Sequence, residues 1–572
     1  MTRLELATSS LARRCSTTEL HPRLNRDRNN GAAGSLRNRK FDPLAEKQTN
    51  ARFSPITSVF EHSISPSREE FRELAKRGNL VSLIVDLVAD VETPVSAFAK
   101  IDNGDPCFLF ESAERNEELG RFSFIGFDPL AVFNSADCEG DPLTQLQQTL
   151  ARFQFVPRAD VPHFVSGAVG YIGYDVVRFF ETTVPIHSRD DLKIPEMVFM
   201  IPRMLLVFDH RFRKLRLICN AHIQPSLGAQ TQAKTIRRRL GEGGADSTPG
   251  YGWQAQASAA DNAYDQAEAS LKMTLLKLSE SRVLEPIDAR PASNLPSPAS
   301  NTTRAEFESM VVKAKELIAA GDIFQVVLSQ RFETDFNGQP LDLYRALRFG
   351  NPSPYMFCLR FDPNFAVLGS SPEVHLRVRD RVIELRPIAG TYPRGKDSAE
   401  DERLARELIV DPKERAEHVM LIDLGRNDLG RVAEFGSVQV TEQMVIERYS
   451  HVMHIVSHIV ARLREDKNAF DAIRATFPAG TVSGAPKIRA MQIIAELEKA
   501  RRGFYAGIVG YFGFDGSHDS CIAIRSIILK NGQAFFQTGA GIVADSDPAR
   551  EFEECVNKAK AMLAAIARAT IP

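Results

Sequence analysis

Gly167-Ala-Val-Gly-Tyr-Ile-Gly-Tyr-Asp175 returns, little changed, as Gly507-Ile-Val-Gly-Tyr-Phe-Gly-Phe-Asp515 near the other end of the chain. Glycine holds three matching positions in two apolar, aromatic runs. A residue without Cβ inside such a run marks a strand that another backbone approaches closely. The echo points to related strands in the two halves, although one echo does not make a repeat protein. Around the first copy, Phe108-Leu-Phe, Arg121-Phe-Ser-Phe-Ile, Met204-Leu-Leu-Val-Phe and Leu215-Arg-Leu-Ile all suit a pleated, half-buried surface. Around the second copy, helical patterns at Arg304–Ala320, Ala399–Leu424, Thr441–Leu463, Ala485–Ala500 and Pro548–Ala567 alternate with strands such as Val382-Ile-Glu-Leu and Cys521-Ile-Ala-Ile. A β-rich first half followed by mixed helices and strands predicts the α+β class.

Further out, Ser67-Arg-Glu-Glu70 has the spacing of a capping box before a helix at Phe71, and folded structure is expected from near Ser54. Residues 1–52 are rich in Arg, Asn and Ser without apolar periodicity, which predicts a disordered tail. Such a tail fits a cytoplasmic protein. A plastid transit peptide is the alternative, against which Glu5, Glu19, Asp27, Asp42 and Glu46 count. Gly, Ala, Ser and Pro around 241–251 and 285–303 flank a helical stretch near Tyr264–Leu278, so 226–303 reads as a linker region with one helix. The resulting division is 53–225, the linker, and 304–572.

With 572 residues, 43% of them hydrophobic, the chain can bury a large core. Its 71 Lys+Arg nearly cancel 73 Asp+Glu, so no net field favours nucleic acid or an anionic membrane, and no apolar run is long enough to cross a bilayer. A small-molecule ligand is the better expectation. The 7 cysteines are scattered without a Cys-x-x-Cys pair, which predicts free thiols in a reducing compartment.

Chemistry-bearing residues fall in six places. Glu414 and Glu417, and again Glu551 and Glu554, stand at i, i+3 spacing, which puts each pair on one helix face. Two such helices facing each other would offer hard oxygen ligands to Mg²⁺. Two solvated helix surfaces would read the same way. Gln537-Thr-Gly-Ala-Gly541, between a strand and a helix, could turn backbone N–H groups toward an anion, or be a plain tight turn. Arg525 could grip a carboxylate or lie on the surface. His454, in Arg448-Tyr-Ser-His-Val-Met-His454 on what reads as an apolar helix, could be catalytic or merely packed. In Thr481-Val-Ser-Gly-Ala-Pro-Lys487, Ser483 is a candidate N-cap with Pro486 in the first turn, and Lys487 either adds to an anion site or is solvated.

Taken together with Ser371-Pro-Glu373, Arg386-Pro-Ile-Ala-Gly-Thr391 and Asp423-Leu-Gly-Arg-Asn-Asp428, these segments run collinearly from about Phe307 to Leu563 and resemble the chorismate-binding enzymes. That family includes anthranilate, aminodeoxychorismate, isochorismate and salicylate synthases. The region from about Pro94 to Ile218, notably Phe108-Leu-Phe-Glu-Ser-Ala113, resembles the N-terminal domain of its anthranilate synthase branch. The resemblance implies a large two-part β-sandwich with helices packed outside, in which 304–572 is the chorismate-binding catalytic domain and 53–225 carries tryptophan-binding elements.

By the same resemblance, Glu417 and Glu554 would hold Mg²⁺, with Glu414 and Glu551 as supporting carboxylates. Gly390, Thr391, Tyr505, Arg525, Gly539, Ala540, Gly541 and Lys558 would hold chorismate. Glu373 matches a proton donor to the departing C4 hydroxyl, His454 a histidine needed to lose pyruvate, and Gln325 and Thr481 fall at further catalytic positions. Isochorismate and salicylate synthases carry a water-activating lysine where this chain has Gln325. Aminodeoxychorismate synthases carry a nucleophilic lysine where it has Ala389. Both departures imply direct attack by ammonia. No cysteine has the Gly-x-Cys-x-Gly setting of a glutaminase nucleophile, so the resemblance implies a separate glutamine amidotransferase subunit, in a heterotetramer of two large and two small subunits. Ser112, Pro354, Tyr355 and Met356 match a regulatory tryptophan pocket, with Phe110 where leucine is usual. Two alternatives are an aminodeoxychorismate synthase component and a non-catalytic tryptophan-sensing subunit.

Overall fold

The two echoed segments are hydrogen-bonded to each other. In the computed structural model, which describes residues 63–113, 120–158, 164, 166–224, 249–290, 294–449 and 452–570, the strand Gly167–Ile172 runs antiparallel to Ile508–Gly513, with Gly170 opposite Gly510. The need for glycine is steric: a Cβ on Gly170 would lie 1.9 Å from the carbonyl oxygen of Val198 on the next strand. The predicted tail, residues 1–52, lies outside the described residues.

This pair belongs to one of two sheet arms that diverge from a single long strand, Met197–Asp209. Its first residues, Met197–Met200, pair with Gly167–Ile172. From there pairing continues through Ile508–Gly513, His518–Ile522, Val374–Arg379 and Val382–Leu385 to Val452–Arg462. The other edge of Met197–Asp209 pairs with Phe122–Asn134, and pairing continues through Cys107–Glu111, Tyr355–Asp362, Phe365–Ser371, Ser526–Lys530 and Gln533–Ile542 to Gln325–Asp335.

Period-two alternation then fills two cores. Val169, Tyr171 and Val509 of one arm pack against Phe108, Phe357, Val367 and Ile528 of the other, forming the sandwich interior. Their strand neighbours Ala168, Ile172, Ile508 and Phe512 pack instead with Phe307, Val311, Ile473 and Ile494 from the covering helices. The architecture is α+β, as expected. Each fully buried large side chain in these layers contributes roughly 1.5–3 kcal/mol.

The capping box forms as read: Ser67 caps Arg68–Leu74, and Glu70 reaches back to the Ser67 backbone. The linker helix is longer than its pattern, spanning Pro249–Ser279. Two helix readings need correction. Thr441–Leu463 is not a helix but two antiparallel strands, Gln439–Arg448 and Val452–Arg462. Its dense β-branched residues suit a pleated surface, and the apolar spacing admitted either period. Ala399–Leu424 is two helices, Ser398–Val410 and Pro412–Gly430, because Asp411 precedes a proline and turns out of the helical region (ψ 118) to cap the second helix. The described residues belong to one compact unit, His62–Pro572, and none of their helices is long and apolar enough to cross a membrane.

Candidate functional site

Both acidic pairs lie on helices. Glu414 and Glu417 occupy the first turns of Pro412–Gly430, and Glu551 and Glu554 those of Pro548–Thr570. The two helices bring the pairs within electrostatic range. Partial burial, then Glu417, Asp411 and Glu554, push the Glu414 carboxyl above its usual range, and burial followed by Glu554 does the same to Glu551. Glu417 accepts a hydrogen bond from Gln325 Nε2 at 3.1 Å, and Glu554 pairs with Lys558 at 2.6 Å.

Among the described residues no group of three or more His, Cys, Asp or Glu forms a ready-made metal cluster. Mg²⁺ does not need one, since it is usually held by one or two carboxylates together with water and substrate oxygens. Crowded hard-oxygen donors of one sign, among which Glu554 is paired to Lys558, fit that ion.

Opposite charge meets Glu554 in one cleft. Arg525, Glu554 and Lys558 line an open cleft of about 630 Å³. The Lys558 ammonium donates to Gly539 O at 2.9 Å, and Arg525 donates to Lys558 O at 3.3 Å. Tyr505 reaches the same point, because a Cβ on Gly539 would meet its hydroxyl at 2.8 Å. Burial lowers the Arg525 pKa, whereas Tyr505 and Glu554 favour its charged form. The Gln537–Gly541 segment is not a loop before a helix. It lies within the strand Gln533–Ile542, whose carbonyl and amide groups pair with Gln325–Asp335, so the glycines serve close approach rather than an anion-binding turn. A Cβ on Gly541 would lie 2.8 Å from Gln325 Nε2, and Ala540 turns into the helix-covered core.

His454 sits on the strand Val452–Arg462, opposite Thr391. The register slips between Ala389 and Thr391, where Gly390 adopts φ +71, a bulge that a side chain would strain. That bulge aims Gly390 O at His454 Nδ1, 3.0 Å away, with Thr391 Oγ1 at 3.1 Å. A carbonyl only accepts, so Nδ1 carries the proton and Nε2 is left as the basic nitrogen. Burial lowers the His454 pKa and keeps the ring neutral near pH 7. A Cβ on Gly390 would lie 3.1 Å from Glu414 Oε2, so the histidine and the acidic helix border one space.

Glu373 is buried, and its carboxyl is pushed up to about 8 by desolvation, with only the nearby Thr481 hydroxyl favouring the ionised form. Both line a cavity of about 50 Å³ with Pro387, Leu424 and Ile522. At neutral pH Glu373 therefore carries a proton to give. Two nearby readings are corrected. Ser483 does not cap the Lys487–Leu497 helix; Pro486 occupies that position, and the Ser483 hydroxyl donates to Ala479 O at 2.8 Å. Lys487 is not solvated but buried against Asp428 at 2.5 Å, where it cannot reach an anion.

A second cavity, about 380 Å³, holds Ser112, Pro354, Tyr355 and Met356 in its wall together with Phe110. Sequence reading missed the aromatic residues Phe122, Phe124, Phe164 and Tyr511 and the charged residues Arg379 and Asp519 that complete it. Phe122, Phe124 and Tyr511 stood in segments read as strands, but no sequence signal joined them into one wall. Asp519 binds Arg377 at 3.1 Å and the Tyr355 hydroxyl at 2.8 Å.

A profile of the chorismate binding enzyme family matches residues 105–564. The chain is 43% identical over 523 residues to anthranilate synthase component 1 of Acetivibrio thermocellus, covering 88% of this chain and 99% of that one. It is 44% identical over 531 residues to the protein of the same name from Synechocystis, with the same coverage, 88% and 99%. Among solved structures, anthranilate synthase component I from Streptococcus pneumoniae superposes with a TM-score of 0.64 at 35% identity, over 83% of this chain and 99% of that one. The menaquinone-specific isochorismate synthase MenF of Escherichia coli shares the fold at 19% identity, with a TM-score of 0.62 over 87% of this chain and 98% of that one.

Proposed function

The chain belongs to the chorismate-binding enzyme family, and from that membership we propose that it is the chorismate-converting component of an anthranilate synthase, a carbon–oxygen lyase of tryptophan biosynthesis. The observation that carries this reading is the cleft in which Arg525 and Lys558 stand with Glu554, whose charge reaches Glu414 on the other acidic helix, with the Tyr505 hydroxyl close to Gly539, the residue whose carbonyl Lys558 binds. Chorismate is a dianion. A guanidinium and a phenol suit one of its carboxylates, and Mg²⁺ between Glu417 and Glu554, supported by Glu414 and Glu551, suits the other. When bound, the cation would neutralise and orient that carboxylate.

Ammonia then attacks the ring at C2, the double bonds shift, and the C4 hydroxyl leaves as water with the proton of Glu373. Thr481 lies beside that acid. The new C–N bond is completed when the nitrogen gives up a proton, so the amination is proton-neutral overall. His454 Nε2 next takes the C2 proton while the ring C3–O bond to the enolpyruvyl group breaks, and the departing enolate takes up one proton at its methylene carbon to become pyruvate, leaving anthranilate. Ala389 is buried where a nucleophilic lysine would otherwise intercept the ring, which favours direct amination over the aminodeoxychorismate route.

Ammonia would come from a separate glutamine amidotransferase subunit, in an assembly of two large and two small subunits. The second cavity is proposed to bind tryptophan as a feedback inhibitor: its aromatic walls suit an indole, and its Arg and Asp residues suit an amino acid's charged groups. The six described cysteines form no disulfide, which supports placing the protein in the cytoplasm. The test is direct. Purified chain with chorismate, Mg²⁺ and ammonium salt should develop anthranilate fluorescence; absence of product under these conditions would overturn the catalytic reading.

A further inference from the structure

Arg502 is among the largest fully buried side chains of the protein, and every arm of its guanidinium is engaged. Nε donates to Glu498 Oε2 at 2.9 Å, and one terminal nitrogen to Glu498 Oε1 at 2.6 Å. The other donates to Val482 O at 2.7 Å, and a second bond from the Glu498-bound nitrogen reaches Val327 O at 2.7 Å. The plane stacks against two rings, 4.8 Å from the Tyr174 centroid and 5.5 Å from Tyr505. Glu498 in turn accepts from Ser329 N at 2.9 Å and Ser329 Oγ at 2.7 Å, and Gln537 donates to the same hydroxyl at 2.8 Å.

What these contacts join matters more than their number. Val482 follows Thr481. Val327 lies two residues beyond Gln325 on the same strand, and its amide donates to Ser483 O at 2.9 Å. Ser329 stands opposite Gly539, and the Tyr505 hydroxyl lies against that glycine. One guanidinium thus ties the Thr481 turn, the Gln325 strand and the Tyr505–Gly539 corner into a single frame. A buried ion pair is seldom more stabilising than apolar residues of the same volume, so stability alone gives little reason for one here. A planar fork with donors in fixed directions is what a three-way tie requires, and lysine cannot supply it.

We propose that Arg502, with Glu498 behind it, is a positioning residue for the amination site: it sets Thr481, Gln325 and Tyr505 at fixed separations without touching substrate. This rests on the reading of Thr481 and Tyr505 as substrate-facing groups. The experiment uses the full chain with chorismate, Mg²⁺ and ammonium salt, and compares Arg502→Lys and Arg502→Met with Tyr505→Phe and the Arg502→Lys/Tyr505→Phe double variant.

In Arg502→Lys, kcat/KM for chorismate should fall by about tenfold or more, since misplacement by an ångström costs up to about a hundredfold, while thermal unfolding stays cooperative. Lysine should rescue little beyond methionine, and the double variant should lose less than the product of the single losses. Parental kcat and KM in Arg502→Lys, or independent multiplication of the losses, would overturn the inference. Should neither Arg502 variant fold, Ser329→Ala removes one donor to Glu498, and its kcat/KM should fall several-fold; parental kinetics there overturn the inference equally. Unchanged kinetics in both Tyr505→Phe and Thr481→Val would instead overturn the site reading beneath it.

Discussion

The cleft at Arg525 and the aromatic cavity behind Tyr355 solve the burial of charge in opposite ways. In the cavity, Asp519 is satisfied from within the protein by Arg377, Arg379 and the Tyr355 hydroxyl. Beside the cleft, which Glu554 lines, the acids of two helices lie within electrostatic range, and their like charge raises the pKa of Glu414 and Glu551 after burial has done so. A region whose charges are already paired is stable in its own right and needs only a shape-matched guest. One whose like charges are left facing each other stores repulsion that a cation and a substrate relieve. Under the proposed function, the contrast would separate a pocket that recognises from a site that reacts.

The largest effect that could break this contrast is expected from Glu554→Gln. If the crowded acids await a cation, removing one charged ligand should lower anthranilate formation by about two orders of magnitude or more. It should leave the melting temperature unchanged or slightly higher, because repulsion is relieved. Retained turnover at saturating Mg²⁺ would reduce the acidic helices to ordinary surface.

Glu373 sharpens the contrast from another side, as a single buried acid with no cationic partner among the described residues. Glu373→Gln should cost about 10²–10⁴ in kcat, the usual worth of a general acid. The parent enzyme's kcat should fall as pH rises through about 8, where the carboxyl loses its proton, and this limb should vanish in the variant's residual rate. The stability sign is opposite to that of a paired carboxylate. Held neutral in the fold but ionised when unfolded above its ordinary 4.5, Glu373 makes folding take up a proton, so stability declines between about 4.5 and about 8. The slope is at most about 1.4 kcal/mol per pH unit, and urea midpoints at pH 5 and pH 8 should show the decline in the parent but less of it in Glu373→Gln.

Legibility in the sequence divided along the same line. Local rules recovered what local physics decides: the Ser67–Glu70 cap, the helical spacing of both Glu pairs, and the glycine echo, which turned out to be a hydrogen-bonded strand pair. The segment carrying His454 defeated periodicity, because Val452–Arg462 has apolar residues at spacings that suit either a helix or a strand flanked by partners on both edges. Gly539–Gly541 reads as a turn if glycine signals bending, whereas here it admits Tyr505 and Gln325 against a paired strand. Lys487 and Asp519 were invisible as largely enclosed groups, since their partners Asp428 and Arg377 are distant in sequence, and the i, i+4 pair Glu498–Arg502 reads as a solvated helix pair until the backbones at Val482 and Val327 close over it.

The smallest expected effect concerns the pre-paired cavity. Tyr355→Phe removes the hydroxyl that accepts from Arg377 at 2.6 Å and donates to Asp519 at 2.8 Å, leaving the ring in the wall. Asp519 keeps both arginines, so the loss should be about 1–3 kcal/mol of stability, the net worth of the two hydrogen bonds removed. Turnover at zero tryptophan should stay near the parental value, because the altered group lies in the wall of the aromatic cavity and not in the Arg525 cleft. Inhibition should weaken only a few-fold, since a loosened Asp519 would orient an amino acid's charged end less well while the aromatic walls still hold its indole. Tryptophan titration by calorimetry and by inhibition of ammonium-dependent turnover reads both quantities. A collapse of turnover comparable to that of Glu554→Gln would mean that the two regions are not the separate devices their electrostatics describe.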